Sequence, residues 1–119
     1  MPTREQHIKK ARENEAFAGT LDTASQASLN WKLVAMFYTA VHYIEAYLAK
    51  QLNQHLRSHT TRDNYVARES NLRNIRNQYS QLKYYGYNAR YEPDQFTDRD
   101  VKDAIGDLAH VKATITLLL

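Results

Sequence analysis

Cysteine is absent from this chain, so no disulfide can staple it, and that usage fits a reducing compartment. Three glycines and two prolines are too few for the many turns of a β sandwich or barrel. Ala, Gln, Leu, Lys and Arg are plentiful instead, so the chain is expected to be mainly helical. The longest largely apolar stretch, Leu33 to Val41, has nine residues with Thr39 among them, whereas a membrane-spanning helix needs about 20. No membrane association is therefore expected. The charged segment Met1 to Lys10 has no apolar run behind it of the kind a signal peptide carries, which makes the cytoplasm the expected location. Also missing are a Gly-rich phosphate loop, a His-Glu-x-x-His pair, an Asp-rich calcium loop and a Gly-x-Ser-x-Gly elbow. Their absence disfavours the common nucleotide-fuelled and hydrolase chemistries, and no cofactor is expected.

The 119 residues amount to one domain, 1–119, with 43% hydrophobic and 24% charged residues. A chain of this size hides roughly two-thirds of its unfolded surface in one core. Its net charge of +3 is unevenly spread. Residues 57 to 90 carry seven Lys/Arg against two Asp/Glu, and residues 91 to 119 carry three against six. Such an arrangement is either an anion-binding surface or two neighbouring helices that attract each other.

Caps and periodicity predict four helical segments. The first runs from about Thr3 to Ala18, with Ile8, Ala11, Glu15 and Ala18 along one side and Gly19 as its stop. The second opens near Thr23 to Ser25, where Thr23 and Gln26 have capping-box spacing, and continues to about Leu52. Val34, Phe37, Val41, Ile44 and Leu48 form its main stripe, which makes it the central helix. A linker, Asn53 to Thr60, holds His55, Arg57 and His59. Thr60 with Asp63 then opens a third helix that reaches about Tyr85 and ends at Gly86, with Leu72, Ile75, Tyr79 and Leu82 facing inward. On that single helix Arg62, Arg73 and Arg76 would share an arc of roughly 60°. Thr97 and Asp100 cap a fourth helix whose Val101, Ile105, Leu108, Val111, Ile115 and Leu118 keep helical spacing. Four such helices on short connections predict an all-α, antiparallel, up-and-down four-helix bundle with a face open to self-association.

Three groups of residues could carry chemistry. Tyr38, His42 and Glu45 fall at i, i+4 and i+7 on the second helix, either as a proton carrier poised by a carboxylate or as a satisfied polar cluster. His55 and His59 have the spacing of helical metal ligands but lie in a linker with no acidic cluster beside them, so no metal site is assigned. Arg57, His59, Arg62, Arg73, Arg76 and Arg90 accompany the aromatic run Tyr84, Tyr85, Tyr87 and Tyr91. Guanidinium groups bind phosphates and tyrosine rings stack on unpaired bases, so this mixture suits single-stranded RNA. The plainer reading is solvated arginine beside core tyrosine.

Asn14-Glu15-Ala16-Phe17, Trp31, the run Phe37-Tyr38-Thr39-Ala40-Val41-His42 with Glu45-Ala46, Ser58-His59 with Arg62, and Ala89-Arg90-Tyr91 occur in that order. In order and spacing the chain resembles HEPN-domain proteins, small helical bundles of prokaryotic toxin-antitoxin and abortive-infection systems. The resemblance implies a four- or five-helix bundle, a two-fold homodimer, and RNA cleavage without metal by an Arg followed four to six residues later by a His. Arg76-Asn77 would open that motif, but Gln81, Leu82 and Lys83 fill the window where the His belongs, so the pair is not carried over. A variant ending of the third helix reads Arg, two residues, Ala-Asp-Tyr; Gly86, Ala89, Arg90 and Tyr91 stand in those places. His59 with Arg62, or His42 with Arg90, are the substitutes available for metal-free cleavage, with Arg57, Arg73, Arg76, Arg90 and Tyr91 contacting RNA. The expected function is an RNA-associated or defence module, with endoribonuclease activity open. The alternative is a non-catalytic interaction module that pairs with a partner antitoxin or nucleotidyltransferase.

Overall fold

Five α-helices and one 3₁₀ segment account for nearly all of the described residues, which include no strand: α1 (Arg4–Thr20), α2 (Gln26–Gln51), α3 (His59–Arg68), the 3₁₀ segment Ser70–Ile75, α4 (Arg76–Tyr91) and α5 (Asp98–Leu118). The computed structural model describes residues 2–51, 59–93 and 95–119. Among them no helix is long and apolar enough to cross a membrane.

Local chemistry sets the helix starts. Thr3 and Gln6 form a reciprocal capping box on α1, and Thr97 and Asp100 form the expected one on α5. On α2 the cap is Ser25, whose Oγ accepts from the Ser28 backbone N–H at 3.1 Å, in place of the expected Thr23. Lys32 closes the other end of α1 by donating to the carbonyls of Ala18 and Leu21 at 2.7 and 3.1 Å, a cation where the helix presents its bare carbonyls.

The core is built around α2. All five residues of its predicted stripe are buried, as are Leu33, Ala40, Tyr43, Ala46 and Tyr47. Each large aliphatic side chain hidden this way contributes about 1.5–3 kcal/mol. Thr39 is tolerated inside because its hydroxyl donates to the Ala35 carbonyl at 2.8 Å. α1, α4 and α5 all pack on α2, and α4 also packs on α5. The contacts give directions: His7 meets His42 while Lys32 meets Ala18, so α1 and α2 are antiparallel. Tyr47 meets Glu69 while Arg90 meets Tyr38, so the chain from Glu69 through α4 runs against α2. On α5, Ala104 is buried in place of the expected Ile105, which stands in solvent.

The expected third helix is not continuous. It breaks at Glu69, passes through the 3₁₀ segment, and resumes as α4, which runs five residues beyond Gly86. No glycine or proline marks the break; side chains hold it. Arg76 donates to the carbonyls of Val66 and Glu69 at 2.8 and 3.2 Å, satisfying the end of α3, and the Tyr47 hydroxyl donates to Glu69 at 3.1 Å. Gly86 is a contact residue, not a stop: a Cβ there would sit 2.5 Å from Cβ of Phe37. Its missing side chain lets α4 press against α2.

Candidate functional site

That close approach shapes a cleft of about 480 Å³ where α2, the start of α3 and α4 meet. Phe37 and Tyr38 come from α2, His59 and Thr60 from α3, and Lys83, Tyr87, Arg90 and Tyr91 from α4. The α4 residues fall at i, i+4, i+7 and i+8, so one helical face delivers two cations and two phenol rings.

His59 is packed against Phe37, with ring centroids 5.8 Å apart and an interplanar angle of 28°, and lies 6.2 Å from the Tyr38 ring. Behind it Arg62 donates from Nη1 to Nδ1 of His59 at 2.9 Å and from Nε to Oε1 of Glu45 at 2.8 Å. The Arg62 and Glu45 side chains are only 6% and 1% exposed, so this is a buried ion pair. A guanidinium cannot accept a hydrogen bond, so Nδ1 of His59 is the acceptor and its Nε2 carries the proton. Burial pushes the His59 pKa down, the Arg62 and Lys83 charges push the same way, and Asp63 opposes them. The result is a neutral imidazole with one fixed tautomer. In this state its Nε2–H donates to an anion, and no free lone pair remains to take a proton from a 2′-hydroxyl.

Across the cleft Arg90 donates to the Tyr38 hydroxyl at 3.2 Å, and its guanidinium stands 5.1 Å from the centre of the Tyr91 ring. Tyr91 lies 5.1 Å from Tyr87. Lys83 pairs with Asp63, which also accepts from the Tyr79 hydroxyl at 2.7 Å. Burial, reinforced by the Asp63 carboxylate, raises the Tyr79 pKa far enough that the phenol stays a donor. Fixed cations, a neutral N–H donor and exposed rings can hold a phosphodiester and stack an unpaired base.

The structure brings His59, Arg90 and Tyr91 together and places Arg62 directly behind them. It does not form the expected arginine stripe. Arg62 is turned inward to Glu45, Arg76 holds the end of α3, and Arg73 is exposed on the 3₁₀ segment. His42 does not line the cleft; its Nδ1 lies 3.2 Å from Nδ1 of the buried His7, an α1–α2 contact in which one ring donates and the other accepts. Tyr38, His42 and Glu45 therefore engage Arg90, His7 and Arg62 respectively, each on a different element. Arg57 and His55 lie outside the described residues. Among the described residues no group of three or more His, Cys, Asp or Glu could hold a metal ion. Lys83, Thr60 and Phe37 belong to the cleft without having been singled out for it. The spacing of Lys83, Tyr87 and Arg90 carries the signal, but it is hidden if the helix is ended at Gly86. No protein-family model, curated protein or solved structure matches this chain.

Proposed function

We propose that the chain is a HEPN-like RNA-associated module that holds single-stranded RNA in the His59–Arg90 cleft. The observation that carries this reading is the convergence of the neutral His59 donor, Arg90, Lys83 and the rings of Tyr38, Tyr87 and Tyr91 on one hollow. Among the described residues Arg62, Arg68 and Arg76 are engaged elsewhere, so the cleft, with Arg90 and the Asp63-paired Lys83, is where a phosphate finds donors. Binding comes first in this reading. Metal-free cleavage there requires His59 to leave Arg62 before it can act as a base. The architecture belongs to the same proposal: α1, α2, α4 and α5 as an antiparallel four-helix bundle with α3 as an added element, in a cytoplasmic defence-type protein.

Titration of a labelled single-stranded RNA at two salt concentrations tests the proposal. Phosphate contacts predict affinity that falls steeply with salt and is lost in Arg90→Ala. Unchanged affinity in Arg90→Ala, or no binding at low salt, refutes it. Incubation with RNA in a chelator tests cleavage: a cut that vanishes in His59→Ala establishes the enzyme, and intact RNA leaves a binding module.

A second reading is supported by exposed apolar side chains outside the cleft. Phe17 and Trp31 are each 52% exposed and Ile105 is 50% exposed. Ile105 lines a hollow of about 340 Å³ with Ala18, Met36 and Leu108, and Glu15, Lys32 and Lys112 line it too. A second copy, or a partner such as a nucleotidyltransferase, would cover these exposed apolar side chains, and sedimentation of wild type against Trp31→Glu reads out the homodimer.

A further inference from the structure

On the far side of Lys83 and Tyr87 lies a second hollow of about 540 Å³ between α3 and α4. Val66 and Ala67 of α3 line one side, Tyr79, Tyr84 and Tyr87 of α4 the other. Lys83 and Tyr87 line both hollows, so the two are adjoining compartments of one surface.

Tyr84 and Tyr87 are 55% and 53% exposed, although their neighbours Tyr79, Leu82 and Tyr85 are buried. Both rings are nevertheless held. Tyr84 meets Phe96 edge-on, with centroids 6.1 Å apart at 88°, and Tyr87 rests near Tyr91. A wall of rings held in this way loses little freedom when a flat ligand stacks on it. The one carboxylate present, Asp63, is engaged by Lys83 and the Tyr79 hydroxyl, so it does not make the compartment anionic. Lys83 is half-exposed and stands where an internucleotide phosphate would pass from one compartment to the next.

We infer that this second compartment receives an unpaired base of the same RNA strand whose phosphate lies in the His59 cleft, so that the site recognises a dinucleotide step. The inference rests on the RNA reading of the first cleft and extends it to the adjacent base. Stacking on such a wall is worth about tenfold or more in affinity.

The test is competition of uridine monophosphate and of the dinucleotide UpU against a labelled hexauridylate. UpU is expected to compete at least about tenfold better than the mononucleotide. Tyr84→Ala is expected to remove that advantage while leaving the mononucleotide unchanged, and Tyr84→Phe to retain it. Ala67→Gln, an exposed position that fills the compartment from α3 without touching the core, is expected to act like Tyr84→Ala. Equal competition by the two ligands in wild type, or Ala67→Gln leaving the dinucleotide advantage intact, overturns the inference while the RNA reading stands. A protein occupant of this hollow would give that last result. If the hexauridylate itself does not bind, the RNA reading falls and this inference with it.

Discussion

The basic segment and the C-terminal segment that contains α5 carry opposite charge excesses, seven against two over residues 57–90 and three against six over residues 91–119, but the fold uses them differently. In the basic part, Arg62 and Arg76 are turned to internal acceptors, and Arg68 donates to the Asn64 carbonyl at 3.3 Å beside the Tyr65 ring. The cations that line the cleft are Arg90 and Lys83, the second of them paired with Asp63. In α5 the acids stay close together on one element. Asp100 completes the cap and Asp98 sits in the first turn, where the helix dipole favours it. Asp107 has a buried Oδ2 with no protein partner, and its pKa is raised by burial and then by Asp103, with His110 opposing. A segment's net charge therefore says little about its surface. Whether a charge holds the fold, strains it or faces a ligand depends on where its helix turns it.

Four measurements break or sharpen this contrast. The largest effect is expected where the basic segment is most buried. Arg62→Ala leaves the Glu45 carboxylate inside without its guanidinium and should cost about 3–5 kcal/mol in a urea melt. Replacing both, Glu45→Leu with Arg62→Met, should recover most of that loss, whereas Arg90→Ala should leave the melt nearly unchanged. A cost below about 1 kcal/mol for Arg62→Ala would mean that the pair is wet in solution.

Next in size is Gly86→Ala. Alanine favours a helix over glycine by roughly 1 kcal/mol, yet its Cβ would collide with Phe37 at the floor of the cleft. A net loss of about 1–3 kcal/mol from overpacking is expected, together with weaker RNA binding. A stabilised variant would show that α4 does not approach α2 so closely.

On the acidic side the sign reverses. Because the folded Asp107 has its pKa above the ordinary value of 3.8, the fold favours the protonated acid. Its contribution is full below the unfolded pKa and is lost as pH rises through the folded one. Asp107→Asn should therefore stabilise the protein at neutral pH by about 1 kcal/mol, seen as a higher Tm, and the gain should shrink in acid. A Tm that does not rise would show that water satisfies Oδ2.

The smallest effect belongs to His59. Its folded pKa lies below the ordinary 6.5, so between those two values the unfolded chain binds more protons and stability falls as pH falls. The difference in Tm between wild type and His59→Gln should change in that window and be flat above it. A difference that stays constant across the window would contradict the Arg62-held neutral ring.

Much of the helical layout was legible in the residues. Val34, Phe37, Val41, Ile44 and Leu48 are all buried as their spacing requires, and Thr97 with Asp100 starts α5 where the capping pattern places it. Leu72, Ile75, Tyr79 and Leu82 face inward as expected, although the helix that was to carry them is broken. No local signal marks the break, because Arg76 and Tyr47, distant from it or on another helix, stabilise it. Gly86 carries a related ambiguity: glycine is common at helix ends, and only the presence of Phe37 opposite shows that close packing is its purpose here. His59, Arg90 and Tyr91 could be named from chemistry alone. That they share a hollow, and that Arg62 serves behind it, could not.

The residues by themselves determined a helical chain, its central rod and most of its caps, because hydrophobic period and capping are local properties spaced a few residues apart. Tertiary structure alone decided which arginines are consumed, which tautomer His59 adopts and where the cleft opens. Those outcomes depend on contacts between residues far apart in the chain, such as Glu45 with Arg62, Phe37 with Gly86 and Tyr38 with Arg90, and burial sets the strength and direction of each.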